Sequence, residues 1–458
     1  MRAWSAGVLV ALHMIVVPAV AAELDEIEQP PAGWTGPVFA PSFGFPTTAP
    51  AAEARPWESV DFRTDARSYM EAVFAYVLEG QDRSTWRIQD NTIRPWFHAP
   101  WMGPGGSGRE FIAGLTRERS SRPGELGSGQ TKCRQNWAVG FYNPAGGYAL
   151  GRIWAPVQSA GNDPDLTALP FPVGTVVAKL LFTEADATEV PLLAGAPEVQ
   201  ANIHVDPNPN DDTCPPATVG NPAVPAPRAP AILRLLQFDV AVRDARADVT
   251  TGWVFGTFVY DGRETGTDPW AKLDPVGLMW GNDPDLTDTD AAAGEKPAES
   301  IVLSDFGLNR AFGRGGRMNG PVDNSVSACL SCHMTAQWPN PASMTPRGGT
   351  SWDIVGCWFR NLGPDTPFGR EPTTTIACGS SPMGATLVSL DFSLQLGVGM
   401  RNWQIARATA GQPFSISSVP LVRGAADAAQ ARAFDGEVLT INGVESLPVH
   451  RGESPAEP

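Results

Sequence analysis

A chain of 458 residues with 42% hydrophobic residues can bury a large core, and 49 acidic against 33 basic residues leave a formal net charge of −16. No long run of one sign carries that charge, which argues against a nucleic-acid or anionic-membrane partner and leaves solubility as its plain consequence. With 47 glycines and 44 prolines interrupting helices, the expected fold class is mainly β, an antiparallel sheet with a few helices (α+β).

Residues 1–22 have a charged start at Arg2, an apolar stretch from Ala6 to Val17, and small residues Ala19, Ala21 and Ala22 before Glu23. This is the pattern of a cleavable secretory signal, too short for a membrane span, and no second apolar run approaches about 18 residues. A periplasmic or otherwise secreted protein is expected, with no membrane span in the mature chain. Residues 23–56 are rich in Pro, Ala and Gly and read as an extended leader. A β-rich domain over 57–340 and a C-terminal extension over 341–458 complete the expected organisation.

Met70, Val73, Phe74, Val77 and Leu78 fall at helical spacing between Thr64 or Asp65 as N-cap and Gly80 as stop. Trp137 to Trp154 holds two aromatic and apolar runs around Asn-Pro-Ala-Gly-Gly, which reads as a β-hairpin, and Phe171 to Thr183 reads as a further strand. Residues 205–230 are too rich in Pro, Asn and Asp to pair into a sheet, so a long loop is expected there. Leu236, Phe238, Val240 and Val242 alternate with Gln237, Asp239 and Ala241, and Gly252 to Gly262 follows as the antiparallel partner. The heptapeptide GNDPDLT occurs at Gly161–Thr167 and again at Gly281–Thr287. Both copies carry turn chemistry, and neither has the helix-loop-helix frame of a calcium loop.

The densest chemistry is Cys329-Leu330-Ser331-Cys332-His333, the C-x-x-C-H pattern of c-type haem attachment. Two thiols at this spacing reach both vinyl groups of one porphyrin, and the adjacent imidazole becomes the proximal iron ligand. A zinc half-site would need a second Cys/His pair, and a redox dithiol would not need the histidine. The expected cofactor is therefore one covalent haem c held by Cys329, Cys332 and His333. Four cysteines remain, Cys133, Cys214, Cys357 and Cys378, an even number suited to two disulfides. Three pairings are possible, and Cys133 with Cys214 and Cys357 with Cys378 is preferred because it closes local loops. Among candidates for the sixth iron position, Met334 follows His333 too closely to reach round. Met344, Met383 and Met400 lie downstream, with Met383 and Met400 at separations suited to a small electron-transfer cytochrome. His98 and His204 are further pocket candidates, and Asp323 is the carboxylate nearest the motif in sequence. Helical elements are expected near the motif and in the tail, from Thr350 to Leu362 and around Leu387 to Met400.

Three separated motifs, Phe171 to Lys179 (FPVGTVVAK), Gly252 to Tyr260 (GWVFGTFVY) and Ala328 to Gln337 (ACLSCHMTAQ), in that order, resemble the cytochrome P-460 family and the related β-sheet cytochromes c-prime. Val139 to Tyr148 is a weaker fourth match. The resemblance spans Trp137 to Gln337. It implies a strand lysine, here Lys179, that contacts the haem edge or is cross-linked to it, and an iron that oxidises hydroxylamine or binds nitric oxide. Ala138 stands where the family has a pocket arginine. Two functions follow as expectations. The first is a P-460-like monohaem protein with an open or hindered distal face for a small nitrogenous molecule or gas. The second is an electron-transfer cytochrome with Met383 or Met400 on iron. Either implies a redox partner protein.

Overall fold

The computed structural model describes residues 28–36, 38, 44–103, 111, 115–160, 162–206, 214, 227–247, 251–303, 307–308, 312–339, 344–345, 352–360, 363 and 388–408. The expected signal segment, Met383 and Cys378 lie outside the described residues.

The architecture is mainly β, as the composition predicts. Strands β1 (Phe97–His98), β2 (Thr116–Arg117), β3 (Asn136–Tyr142), β4 (Val176–Thr183), β5 (Glu198–His204), β6 (Arg228–Arg243), β7 (Trp253–Tyr260), β8 (Leu273–Met279) and β9 (Glu299–Ile301) form one sheet. Its order is β1-β3-β4-β6-β7-β8-β9, with β2 also on β3 and β5 also on β6. Every pairing in it is antiparallel. A second, two-stranded pair joins β10 (Gln337–Trp338) to β11 (Val388–Ser389). The helices are α1 (Ala66–Leu78), α2 (Pro144–Ala160), α3 (Asp288–Ala292), α4 (Cys329–His333), α5 (Trp352–Val355) and α6 (Leu394–Ala408).

Helix α1 has the predicted limits. The Asp65 side chain accepts from the Ser68 N–H at 3.1 Å, and the chain leaves the helix through Gly80 at φ 76°. Its Phe74 ring packs against Phe238 and Phe258. Trp86 and Trp96 extend this aromatic layer over Phe141, so one face of the sheet is sealed. The opposite face carries α4 and the cavity described below. Because both faces are covered, β3 and β7 are buried at every position, and their sequences show aromatic runs instead of alternation.

Two readings are corrected. Trp137 to Trp154 is not a hairpin: β3 ends at Tyr142 and α2 starts at Pro144. Asn143 caps that helix, its side chain accepting from the Gly146 N–H at 3.2 Å. Asn-Pro is turn chemistry, but it is also N-cap followed by N1 chemistry, and tertiary packing selects the second. Gly147 is needed there because a Cβ would lie 2.2 Å from the Phe97 ring. The loop expected to end at residue 230 ends earlier, since β6 begins at Arg228 with Pro230 opposite Asn202 of β5. Strands β4 and β7 join β6 only from Arg234 and Gln237 onward, so the missing N–H of Pro230 falls where the strand is paired on one side. Strand β5 itself was not anticipated.

Other expectations have structural counterparts. Cys133 and Cys214 are disulfide-bonded, and Cys357 is also in a disulfide. In the first GNDPDLT copy Asp165 accepts from the Thr167 N–H at 3.0 Å, and in the second Thr287 caps α3 reciprocally with Asp290. Both are caps and turns. The leader meets the domain where it is described: the Thr35 and Gly36 N–H groups donate to Gln200 Oε1. Among the described residues no helix is long and apolar enough to cross a membrane.

Candidate functional site

On the face opposite α1, strand alternation and register place side chains in rows. Gly140, Lys179, Asp239 and Thr257 are direct cross-strand neighbours on β3, β4, β6 and β7. The next row in the same direction is Tyr142, Val177, Ala241 and Phe255. A polar row thus runs beside an apolar one, about 4.8 Å between strands. Apart from Thr257, these residues line a cavity together with α4 and residues of the segment Asp391–Val398, and its open space, solvent at the mouth included, is about 1470 Å³.

Cys329, Cys332 and His333 all line this cavity. Helix α4 is one short turn, fixed by Leu330 and Ser331, which are buried. Ser331 Oγ accepts from the Ala328 N–H at 2.7 Å, and Thr335 Oγ1 donates to the Cys332 carbonyl at 2.6 Å. The two thiols are not bridged to each other, and burial pushes both above the ordinary thiol pKa, so they are neutral S–H groups. His333 Nδ1 lies 2.9 Å from the Phe392 carbonyl. A carbonyl only accepts, so Nδ1 carries the proton. Burial pulls the imidazole down to about 4, against the opposing effect of that hydrogen bond. The ring is neutral at pH 7, with Nε2 left as its lone-pair nitrogen. This donor set has the chemistry that a thioether-bound porphyrin requires: two free thiols and one neutral imidazole whose Nε2 is left as the lone-pair nitrogen.

Lys179 also reaches the cavity. Its Nζ is 3.4 Å from Glu118 Oε1 and 4.0 Å from Asp239 Oδ2. Burial disfavours the ammonium, but Glu118, Asp239 and Asp323 outweigh it and hold Lys179 above the usual lysine value. Asp239 accepts from Thr257 Oγ1 at 2.6 Å and Gln237 Nε2 at 2.7 Å. Burial nevertheless pushes it up to about 6, partly relieved by Lys179 and reinforced by Asp323. Glu118 is raised too, again chiefly by burial. Asp323 lines the same cavity, accepting from the Gly320 N–H at 3.0 Å. The polar end therefore sets Lys179 among three carboxyl groups, Glu118, Asp239 and Asp323.

The remaining sequence candidates fall elsewhere. Met400 is 1% exposed within α6 and does not line the cavity, whereas Met102 and Met344 do. His98 and His204 are buried away from it, His204 stacked on Trp137. Sequence reasoning missed Glu118, Asp239 and Arg117. An aspartate in the middle of an apolar strand was the available signal for Asp239. Arg117 lies on β2 opposite Trp137, is 6% exposed and is among the residues lining the cavity.

Fold and site together define an antiparallel β-sheet protein with a cavity that brings a C-x-x-C-H turn, a strand lysine and three carboxyl groups together. No family model, curated protein or solved structure matches the chain.

Proposed function

We propose that the protein is an exported monohaem c-type cytochrome, P-460-like, whose distal haem face binds or oxidises a small nitrogenous molecule such as hydroxylamine or nitric oxide. The observation that carries this reading is the shared cavity of Cys329, Cys332, His333 and Lys179, residues separated by 150 positions or more between the strand and the turn. When bound, the haem would supply a redox-active iron and an open coordination position. Cys329 and Cys332 would hold it, each S–H adding across a vinyl double bond so that sulfur bonds one carbon and the hydrogen goes to the other. His333 would ligate through Nε2. Lys179 would meet the porphyrin edge. Asp239, pushed up to about 6, is a carboxyl group matched to accepting and returning a substrate proton near neutral pH. Electrons leaving the site would pass to a redox partner protein.

The test is the visible spectrum of protein matured in an oxidising compartment, with the mass of the haem peptide. Covalent haem is expected in the wild type and absent in a Cys329→Ala/Cys332→Ala variant. A ferrous spectrum that shifts with carbon monoxide or nitric oxide supports the open face. Haem-edge contact and cross-linking by Lys179 separate by mass: only a cross-link leaves the β4 peptide attached to the haem peptide after digestion.

One observation favours the second reading, an electron carrier with methionine on iron. Two thioethers, Met102 and Met344, line the cavity. A gas-insensitive low-spin spectrum that changes in Met344→Ala or Met102→Ala would establish that role.

A further inference from the structure

The chain turns left-handed twice in succession at Asp391 (φ 48°) and Phe392 (φ 64°). Aspartate visits this region with some ease, but a bulky phenylalanine does not, and glycine is the residue that adopts it freely. Such conformations persist only where surrounding contacts over-determine them. Here the contacts converge on Asp391, which is fully buried. Its carboxylate accepts from the Phe171 N–H at 2.7 Å and from the Trp253 indole N–H at 2.9 Å, with Arg243 Nε at 4.0 Å. Its own N–H donates to Ser389 Oγ at 3.2 Å. On the other side of the pair, Ser393 Oγ meets the Tyr142 hydroxyl at 2.8 Å and accepts from the Leu396 N–H at the start of α6. Between these two anchors lies the Phe392 carbonyl, which accepts the His333 Nδ1 proton at 2.9 Å.

We propose that Asp391 is a positioning residue that tunes the iron through His333, by locking the left-handed pair whose carbonyl takes the Nδ1 proton. The inference rests on the haem reading above. An imidazole that donates a well-directed Nδ1 hydrogen bond is a stronger electron donor through Nε2, which favours the ferric state. The Phe255 ring, 4.6 Å from the imidazole, fills space beside it but offers no acceptor. The orientation of His333 is thus set from the C-terminal extension, more than 50 residues beyond the attachment motif.

The experiment uses haem-loaded full-length wild type, Asp391→Asn and Trp253→Phe. Two quantities are read: the solvent-exchange rate of the His333 Nδ1 proton by NMR, and the reduction potential. Asparagine keeps the shape and tolerates the left-handed backbone, but it lacks the charge and one acceptor oxygen. Trp253→Phe leaves the charge and removes one anchor. Exchange is expected to be at least tenfold faster in both variants. The reduction equilibrium of Asp391→Asn should move roughly tenfold toward the ferrous form, about 59 mV for one electron. A folded, haem-loaded Asp391→Asn with wild-type exchange overturns the inference, even if its potential moves, because a buried charge acts on iron through space as well. If Asp391→Asn does not fold, wild-type exchange in Trp253→Phe overturns it. Wild type without covalent haem defeats the underlying reading instead, a result recognised before either variant is compared.

Discussion

Lys179 is the residue on which the polar end of the cavity depends. Its Nζ lies 3.4 Å from Glu118 and 4.0 Å from Asp239, and without it the three carboxyl groups lose that ion pairing. Lys179→Ala should reduce stability at pH 7 by about 1–3 kcal/mol, below the full value for a buried pair because the side chain is partly exposed. The pH dependence has a definite sign. Asp239 is pushed from 3.8 up to about 6 in the folded protein, so its protonated form is the one the fold prefers. That contribution is complete below about pH 4 and lost as pH rises through about 6. The penalty of Lys179→Ala should therefore shrink at pH 4, where Asp239 is neutral, and Asp239→Asn in the same chain should recover much of it at pH 7. Urea unfolding of the single and double variants at both pH values checks this. Glu299 gives an independent case. Burial pushes it from 4.5 up to about 7, while the Met318 N–H donates to it and Arg317 opposes the shift. Its raised pKa lowers stability between those values as pH rises, so Glu299→Gln should be neutral below pH 4.5 and stabilising by about 1–3 kcal/mol above pH 7. A wild-type-like unfolding profile in this variant would contradict the assignment.

Elements differ in how far their own residues determine them. Helix α1 was legible because its apolar spacing, the Asp65 cap and the Gly80 stop agree. Asp65→Ala should remove about 1 kcal/mol of stability by freeing the Ser68 N–H. The stretch after β3 was misread because Asn143-Pro144 suits a turn and a helix start equally, and the choice depends on contacts with residues distant in sequence. Asn143 meets the Tyr76 hydroxyl of α1 and the Gly174 carbonyl, while Gly147 lies against Phe97 of β1. Those contacts exist only once the sheet forms. Gly147→Ala should accordingly lower stability by about 1–3 kcal/mol through overpacking against the ring. Gly140→Ala should be milder, since its new methyl group meets the movable end of Gln395. Thermal unfolding of the two variants side by side tests this ordering.

At the scale of the molecule, one continuous core runs from Trp57 to Trp403, and the disulfide Cys133–Cys214 closes a separation of 81 residues on it. Replacing both cysteines by alanine should lower stability by up to about 4 kcal/mol, measured by chemical unfolding with Cys329 and Cys332 unchanged. The sequence by itself determined the β class, helix α1, the β6–β7 pair and the C-x-x-C-H spacing. Each rests on local spacing: period two in a strand, three to four in a helix, three between the thiols. It also marked Lys179 through resemblance to a strand motif. Only the tertiary structure decided which groups share a cavity. Glu118, Asp239, Asp323 and Asp391 come from four separate segments, and no local pattern relates them. Antiparallel register sets Asp239 beside Lys179, and the turn after β11 sends the Phe392 carbonyl back to His333. The physical reason is that strand pairing and burial act between residues far apart in the chain, so the partners of a buried charge are chosen by topology and not by neighbouring sequence.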